Sequence, residues 1–245
     1  MMKGALFDLD GVLADTASLH FKAWRKLAKE NFGRSLPDEL EEKTKGISRS
    51  DSLSVILDYL EITVSETEFN HLAEEKNLIY RDLLKDLGPD DVLPGMRDFI
   101  TDIKRKNIQT ALASASRNGP FILERTGLSD YFNAIVDPSK IQAGKPAPDI
   151  YLAAAAAIGI SPRECVGFED AVSGIQSLEA AGIVSVGIGS DHEVGQADLR
   201  FSSTEDINFD DVEEIWAEIT NNADRKSVGG KECVSECRSR WSPYH

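Results

Sequence analysis

Three aspartates stand close together near the N-terminus: in "GALFDLDGVLADT" the apolar run ends in Asp8 and Asp10, with Asp15 a short way on. Carboxylates crowded in this way stay ionised only if a cation lies between them. A second acidic pair, Glu169 and Asp170, closes another apolar run in "CVGFEDAVSG". With no His or Cys beside it, the donor set is all oxygen, which favours Mg2+ over softer metals. A hard ion with few protein ligands keeps positions open for water and phosphate oxygens. Two further polar clusters suit the same chemistry: Ser114, Ser116, Arg117 and Asn118 in "SASRNGP", and Lys145 in "GKPAPD". Taken singly, each has an ordinary use as a turn, a helix cap or a dipole partner. Together they place carboxylates, hydroxyls and a lysine where several strands end.

Those strands must belong to one sheet for the clusters to meet. β-rich segments recur at "KGALFD", "IQTALAS", "AIVD", "ECVGFED" and "IVSVGIG", with helix-length stretches between the later ones. This alternation predicts an α/β fold, a doubly wound parallel sheet with a Rossmann-like core, in which ligands sit beyond the carboxyl ends of the strands. The stretch from about Ala17 to Asp91 differs, being helical in period almost throughout. It reads as a small α-helical domain inserted after the first strand. The expected organisation is a core of residues 1–15 and 92–222, a helical insert over 16–91, and a disordered tail over 223–245. Between two linkers the insert can hinge over the end of the first strand.

The chain has 245 residues, 41% of them hydrophobic, and can bury a real core. It carries 42 Asp and Glu against 27 Lys and Arg, a formal charge of -15 that repels nucleic acid and anionic membranes, so neither is expected as a partner. The apolar run from Ala5 is broken at once by Asp8, which argues against a signal peptide or membrane span, and a cytoplasmic location is expected. Three cysteines, Cys165, Cys233 and Cys237, make a poor disulfide framework and fit a reducing compartment.

"FDLDGVLADT", a serine after the second strand, a lysine before a later helix and "GFEDAVSG" together resemble the motifs of the haloacid dehalogenase superfamily of phosphotransferases, over about residues 1–220. The resemblance implies that Asp8 is a nucleophile that becomes an aspartyl-phosphate and that Asp10 is the general acid and base. It also implies that Mg2+ is held by Asp8, Asp170 and the main-chain oxygen of Asp10 with Glu169 nearby, while Ser114 and Lys145 grip the phosphoryl oxygens.

What accepts the phosphoryl group depends on the insert, since a mutase needs a second anion site facing the first. Candidates are His20 and Trp24 in "HFKAW", and Lys45, Gly46, Arg49 and Ser52 in "KGISRSDS", with Arg49 suited to forked binding of phosphate. These strings, with "ALASASRNGPFILE", "KPAPDIY" and "EDAVSGIQ", are similar to the β-phosphoglucomutase branch of the superfamily. That branch implies interconversion of β-D-glucose 1-phosphate and β-D-glucose 6-phosphate through β-D-glucose 1,6-bisphosphate, which also serves as activator. It implies that Thr16 and His20 couple closure of the insert to Asp10, and that Arg49 binds the non-reacting phosphate. Gly46, Ile47, Ser116 and Asn118 would position the sugar phosphate, and Arg117 stands where a lysine is common. Small sugar phosphates are the expected partners, and a monomer is expected because the insert must move. A sugar-phosphate or phosphoglycolate-type phosphatase on the same scaffold, and a non-catalytic binding protein, are the alternatives.

Overall fold

A computed structural model describes residues 1–228. The chain runs β1 (Gly4–Phe7), α1 (Ala17–Phe32), α2 (Glu39–Thr44), α3 (Arg49–Leu60), α4 (Glu66–Leu83), α5 (Met96–Arg105), β2 (Gln109–Leu112), α6 (Gly119–Thr126), β3 (Ala134–Ile135), α7 (Asp149–Ala157), β4 (Cys165–Glu169), α8 (Val172–Ala181), β5 (Val184–Ile188), α9 (Asp191–Val194), β6 (Leu199–Phe201) and α10 (Phe209–Val228). The strands form one sheet in the order β3-β2-β1-β4-β5-β6, parallel throughout. The chain therefore winds outward from β1 on one side and from β4 on the other. The gap between their carboxyl ends is the topological switch point where ligands bind in such sheets.

Side chains alternate across the sheet as the strand period requires. Phe7, Leu112, Val166 and Phe168 face α5, α6 and α10, where Phe99, Ile100, Ile122 and Trp216 cover them. Leu6, Ala111, Ala113 and Cys165 face α7 and α8, meeting Ile150, Ala154 and Leu178. Burial on both faces explains the unbroken apolar runs. The insert closes a core of its own, with Phe21, Trp24 and Leu27 of α1 packed on Leu40, Leu53, Ile56, Leu60 and Leu72. Its two connections run side by side: Ala14 bridges Val92 in antiparallel fashion, the Asp15 N–H donates to Asp91 O at 3.1 Å, and the Leu93 N–H donates to Leu13 O at 3.0 Å.

A sixth strand, β6, was not foreseen, because "LRF" between polar neighbours is too short to show a period. The helix α10 is described as far as Val228; the rest of the expected tail, with Cys233 and Cys237, lies outside the described residues. Cys165 is buried.

Candidate active site

The residues beyond β1 and β4 form an interlocked buried group. Lys145, whose side chain is 1% exposed, lies 2.6 Å from Asp8 Oδ1 and 2.5 Å from Glu169 Oε1. Glu169 is held from every side: Oε1 also accepts from the Tyr151 hydroxyl at 2.7 Å, and Oε2 accepts from the main-chain N–H groups of Asp170 and Ala171 at 3.0 and 3.3 Å. A Cβ at Gly174 would overlap the Glu169 carboxylate, so only glycine allows α8 to come this close. Burial pushes the Asp8 carboxyl up to about 7 even against Lys145, with Glu169 and Asp10 adding to the effect. Burial likewise raises Asp170 well above the usual range, Lys45 opposing and Glu169 and Asp8 adding. On Lys145, burial favours the neutral form, but Asp8 and Glu169 outweigh it and hold the ammonium charged.

Asp8, Glu169 and Asp170 bring carboxylate oxygens within 4.8 Å of one another. An all-oxygen, buried acidic cluster, in which Glu169 adds to the raised pKa of Asp8 and of Asp170, fits a hard divalent ion, since such an ion relieves both desolvation and mutual repulsion.

Asp10 turns the other way, towards the insert. Its Oδ1 accepts from the Thr16 hydroxyl at 2.5 Å and the Tyr80 hydroxyl at 3.2 Å, and its Oδ2 lies 3.5 Å from His20 Nε2. Behind it, Lys76 Nζ meets His20 Nδ1 at 2.7 Å. When Lys76 is charged its ammonium can only donate, so His20 then accepts on Nδ1 and carries its proton on Nε2, pointing at Asp10. Burial and the nearby Lys76 lower the His20 pKa, which agrees with that neutral tautomer. On Asp10, burial alone would raise the pKa; His20, Thr16 and Tyr80 overcome it and hold the carboxyl at about 2. Asp10 is thus an ionised carboxylate whose orientation is set by the insert.

The remaining expected residues border one cleft between core and insert, a cavity of about 1090 Å³ lined by Asp8, Asp10, His20, Trp24, Lys45, Gly46, Ile47, Arg49, Ser52, Ser114, Ser116, Arg117, Asn118 and Lys145 among others. Ser114 accepts the Ser116 N–H on its hydroxyl oxygen at 3.1 Å and so keeps its proton to donate. Asn118 Nδ2 donates to Asn77 Oδ1 across the cleft at 3.1 Å. Ser48 caps α3, which makes Arg49 its first residue, with Nη1 3.3 Å from Glu74 Oε2. The Ser52 hydroxyl donates to Ser48 O at 2.9 Å, inside the insert. Trp24 is 2% exposed and belongs mainly to the insert's core, with Lys76 Nζ 4.7 Å from its ring centre. Thr16 is fully buried beneath Asp10 rather than in the cleft.

Lys76, Tyr80, Tyr151 and Glu193 were missed in the sequence. Tyr80 and Lys76 lie on the buried stripe of α4, where a tyrosine and an aliphatic lysine stem read as core. The lysine at a stripe position was the one available signal, because a buried lysine needs a partner.

A family model of haloacid dehalogenase-like hydrolases matches residues 2–182. The β-phosphoglucomutase of Bacillus subtilis (strain 168) is 42% identical over 217 residues, which span 88% of this chain and 96% of that protein. A phosphorylated carbohydrates phosphatase of Thermotoga maritima is 34% identical over 185 residues, 74% of this chain and 82% of that one. Among solved structures, a β-phosphoglucomutase from Clostridium difficile superposes with a TM-score of 0.87 at 38% identity, covering 89% of this chain and 99% of the other.

Proposed function

The chain belongs to the haloacid dehalogenase-like hydrolase family, and on that premise we propose that it interconverts β-D-glucose 1-phosphate and β-D-glucose 6-phosphate by way of β-D-glucose 1,6-bisphosphate. The observation that carries this reading is a single cleft with cationic groups at both ends: Lys145 beside Asp8 in the core and Arg49 on the insert, with Lys45 of the insert beside Asp170. One such end binds the reacting phosphate and the other the distal one. Lys145 engages Asp8 Oδ1, and Oδ2 is the oxygen assigned to attack phosphorus: a P–O bond forms to Asp8 as the bond to the sugar oxygen breaks. Asp10, near enough to be turned by Thr16, Tyr80 and His20, takes the proton of the attacking sugar hydroxyl in one direction and returns it to the departing oxygen in the other. Ser114 and Lys145 stabilise the charge on the phosphoryl oxygens. Asp8, Glu169 and Asp170, with the Asp10 carbonyl, would hold Mg2+, which when bound offsets the charge of the phosphoryl group and of these carboxylates. Residues 16–91 act as a cap that excludes water while the sugar turns over. The activator role of the bisphosphate, a cytoplasmic location and a monomeric state belong to the same reading. No helix among the described residues is long and apolar enough to cross a membrane.

The test supplies β-D-glucose 1-phosphate, Mg2+ and a trace of the bisphosphate. Formation of glucose 6-phosphate well in excess of free phosphate is expected. Phosphate release without glucose 6-phosphate would support a phosphatase instead, the reading that the Thermotoga relative keeps in view.

A further inference from the structure

Opposite the hinge, the cap touches the core at a second place. The turn after α2 lies against the segment that follows β4. There Lys45 O accepts from the Ser173 hydroxyl at 3.4 Å. Gly46, at φ +74, comes so close that a Cβ would stand 2.8 Å from Ser173 Oγ and 2.9 Å from Ala171 Cβ. The Lys45 ammonium, 22% exposed on its side chain, is shared between two carboxylates of the core, Asp170 Oδ2 at 3.1 Å and Glu193 Oε1 at 2.7 Å. Glu193 is itself fixed, its Oε2 accepting from the Ser190 hydroxyl at 2.8 Å and the Ser190 N–H at 3.2 Å within the first turn of α9.

Asp170 therefore faces two cations with one carboxylate. A divalent ion held by Asp170 and a lysine ammonium at 3.1 Å from a carboxylate oxygen of that residue repel each other at short range. Glu193 lies within reach of the same ammonium but outside the Asp8, Glu169 and Asp170 cluster. We infer that Glu193 is a positioning residue for Lys45, and that Lys45 and the metal ion compete for Asp170, so that Glu193 draws the lysine aside and couples metal uptake to the seating of the cap. The inference rests on the reading of Asp8, Glu169 and Asp170 as the metal site, and not on which sugar is the substrate.

Titration of Mg2+ into the substrate-free protein, followed by calorimetry, tests it through paired substitutions whose effects have opposite signs. Lys45→Met tightens Mg2+ binding by about three- to tenfold, the size expected when one partly buried charge contact is removed. Glu193→Gln weakens binding by about two- to fivefold, because Lys45 then rests on Asp170 alone. In the Lys45→Met background the Glu193→Gln change has no further effect. Lys45→Arg keeps the competing charge and binds Mg2+ about as the parent does, which guards against a variant that only disturbs the turn. Equal weakening by Glu193→Gln in both backgrounds would mean that Glu193 acts on the ion through space, and would overturn the inference. So would a Lys45→Met protein that binds Mg2+ no more tightly than the parent. If the parent takes up no Mg2+ at all, the metal-site reading falls and this inference falls with it.

Discussion

In the core, Lys145 is 1% exposed and locked between Asp8 and Glu169, which is held in turn by Tyr151 and two main-chain N–H groups. In the cap, Arg49 is 22% exposed and its partner Glu74 63% exposed, while Lys45, also 22% exposed, rests on the core carboxylates Asp170 and Glu193, 6% and 28% exposed. The core has few rotamers open to it and no exchange of partners without breaking buried hydrogen bonds. The cap holds Arg49 on an exposed partner that an incoming phosphate can replace at little cost. This difference suits a division of labour in which the core performs phosphoryl transfer on any ester that reaches it, while the cap chooses the acceptor. Asp10 belongs to both, since it stands on a core loop but takes its orientation from Thr16, His20 and Tyr80.

The division breaks most visibly at the nucleophile. Asp8→Asn is expected to abolish glucose 6-phosphate formation and ester hydrolysis alike, by about ten-thousandfold or more, with no phosphate retained on the protein by mass spectrometry. Retention of hydrolysis in that variant would show that water can attack without the core's aspartate.

Lys76 links the two regions and is expected to show a smaller, pH-dependent effect. Burial, with Arg49 adding, lowers its pKa from 10.5 to about 7. Below pH 7 both the folded and the unfolded chain carry the charge, and the fold bears the full cost of burying it. Between about 7 and 10.5 the unfolded chain holds a proton that the folded one has lost, so stability rises with pH, and above that the cost is gone. Lys76→Met is therefore expected to be more stable than the parent by on the order of 3 kcal/mol at pH 7, less what the cation–π contacts return, and the gain shrinks towards pH 10. Thermal melts of the two proteins across that range check it; a difference that does not vary with pH would contradict the assignment. The same variant, lacking the donor that fixes the His20 tautomer, is expected to lose about tenfold or more in kcat.

Tyr151→Phe removes one hydrogen bond from Glu169 and is expected to lower kcat by about two- to fivefold. Because Tyr151 belongs to the core, mutase and hydrolytic rates should fall together. A loss confined to the sugar phosphate would blur the boundary between the two regions.

Most of the core half of the site was legible in the sequence because its carboxylates and Ser114 lie at or just after the ends of strands, while Lys145 stands before a helix. Asp8, Ser114 and Glu169 interrupt apolar runs, and a parallel sheet brings its carboxyl ends together whatever the loops do. The alternation of elements gave the parallel doubly wound class but not the strand order, and β6, with three residues, carries too little pattern to be seen. The cap half was legible only where residues match a known branch, as at "KGISRSDS". Tyr80 and Lys76 sit at helical spacing on a buried face, and nothing in that period separates a side chain that packs from one that also reaches Asp10. Ser52 shows the converse, a plausible donor whose hydroxyl turns back to its own helix. Glu193 lies in a four-residue helix far along the chain, and only the folded structure brings it to Lys45.

The central claim, that the cap rather than the core selects the acceptor, is tested most directly by Arg49→Ala assayed on two substrates. The account predicts that kcat/KM for conversion of β-D-glucose 1-phosphate to glucose 6-phosphate falls by about a hundredfold, while hydrolysis of a small phosphate ester stays within about threefold of the parent. Equal losses on both substrates would contradict it.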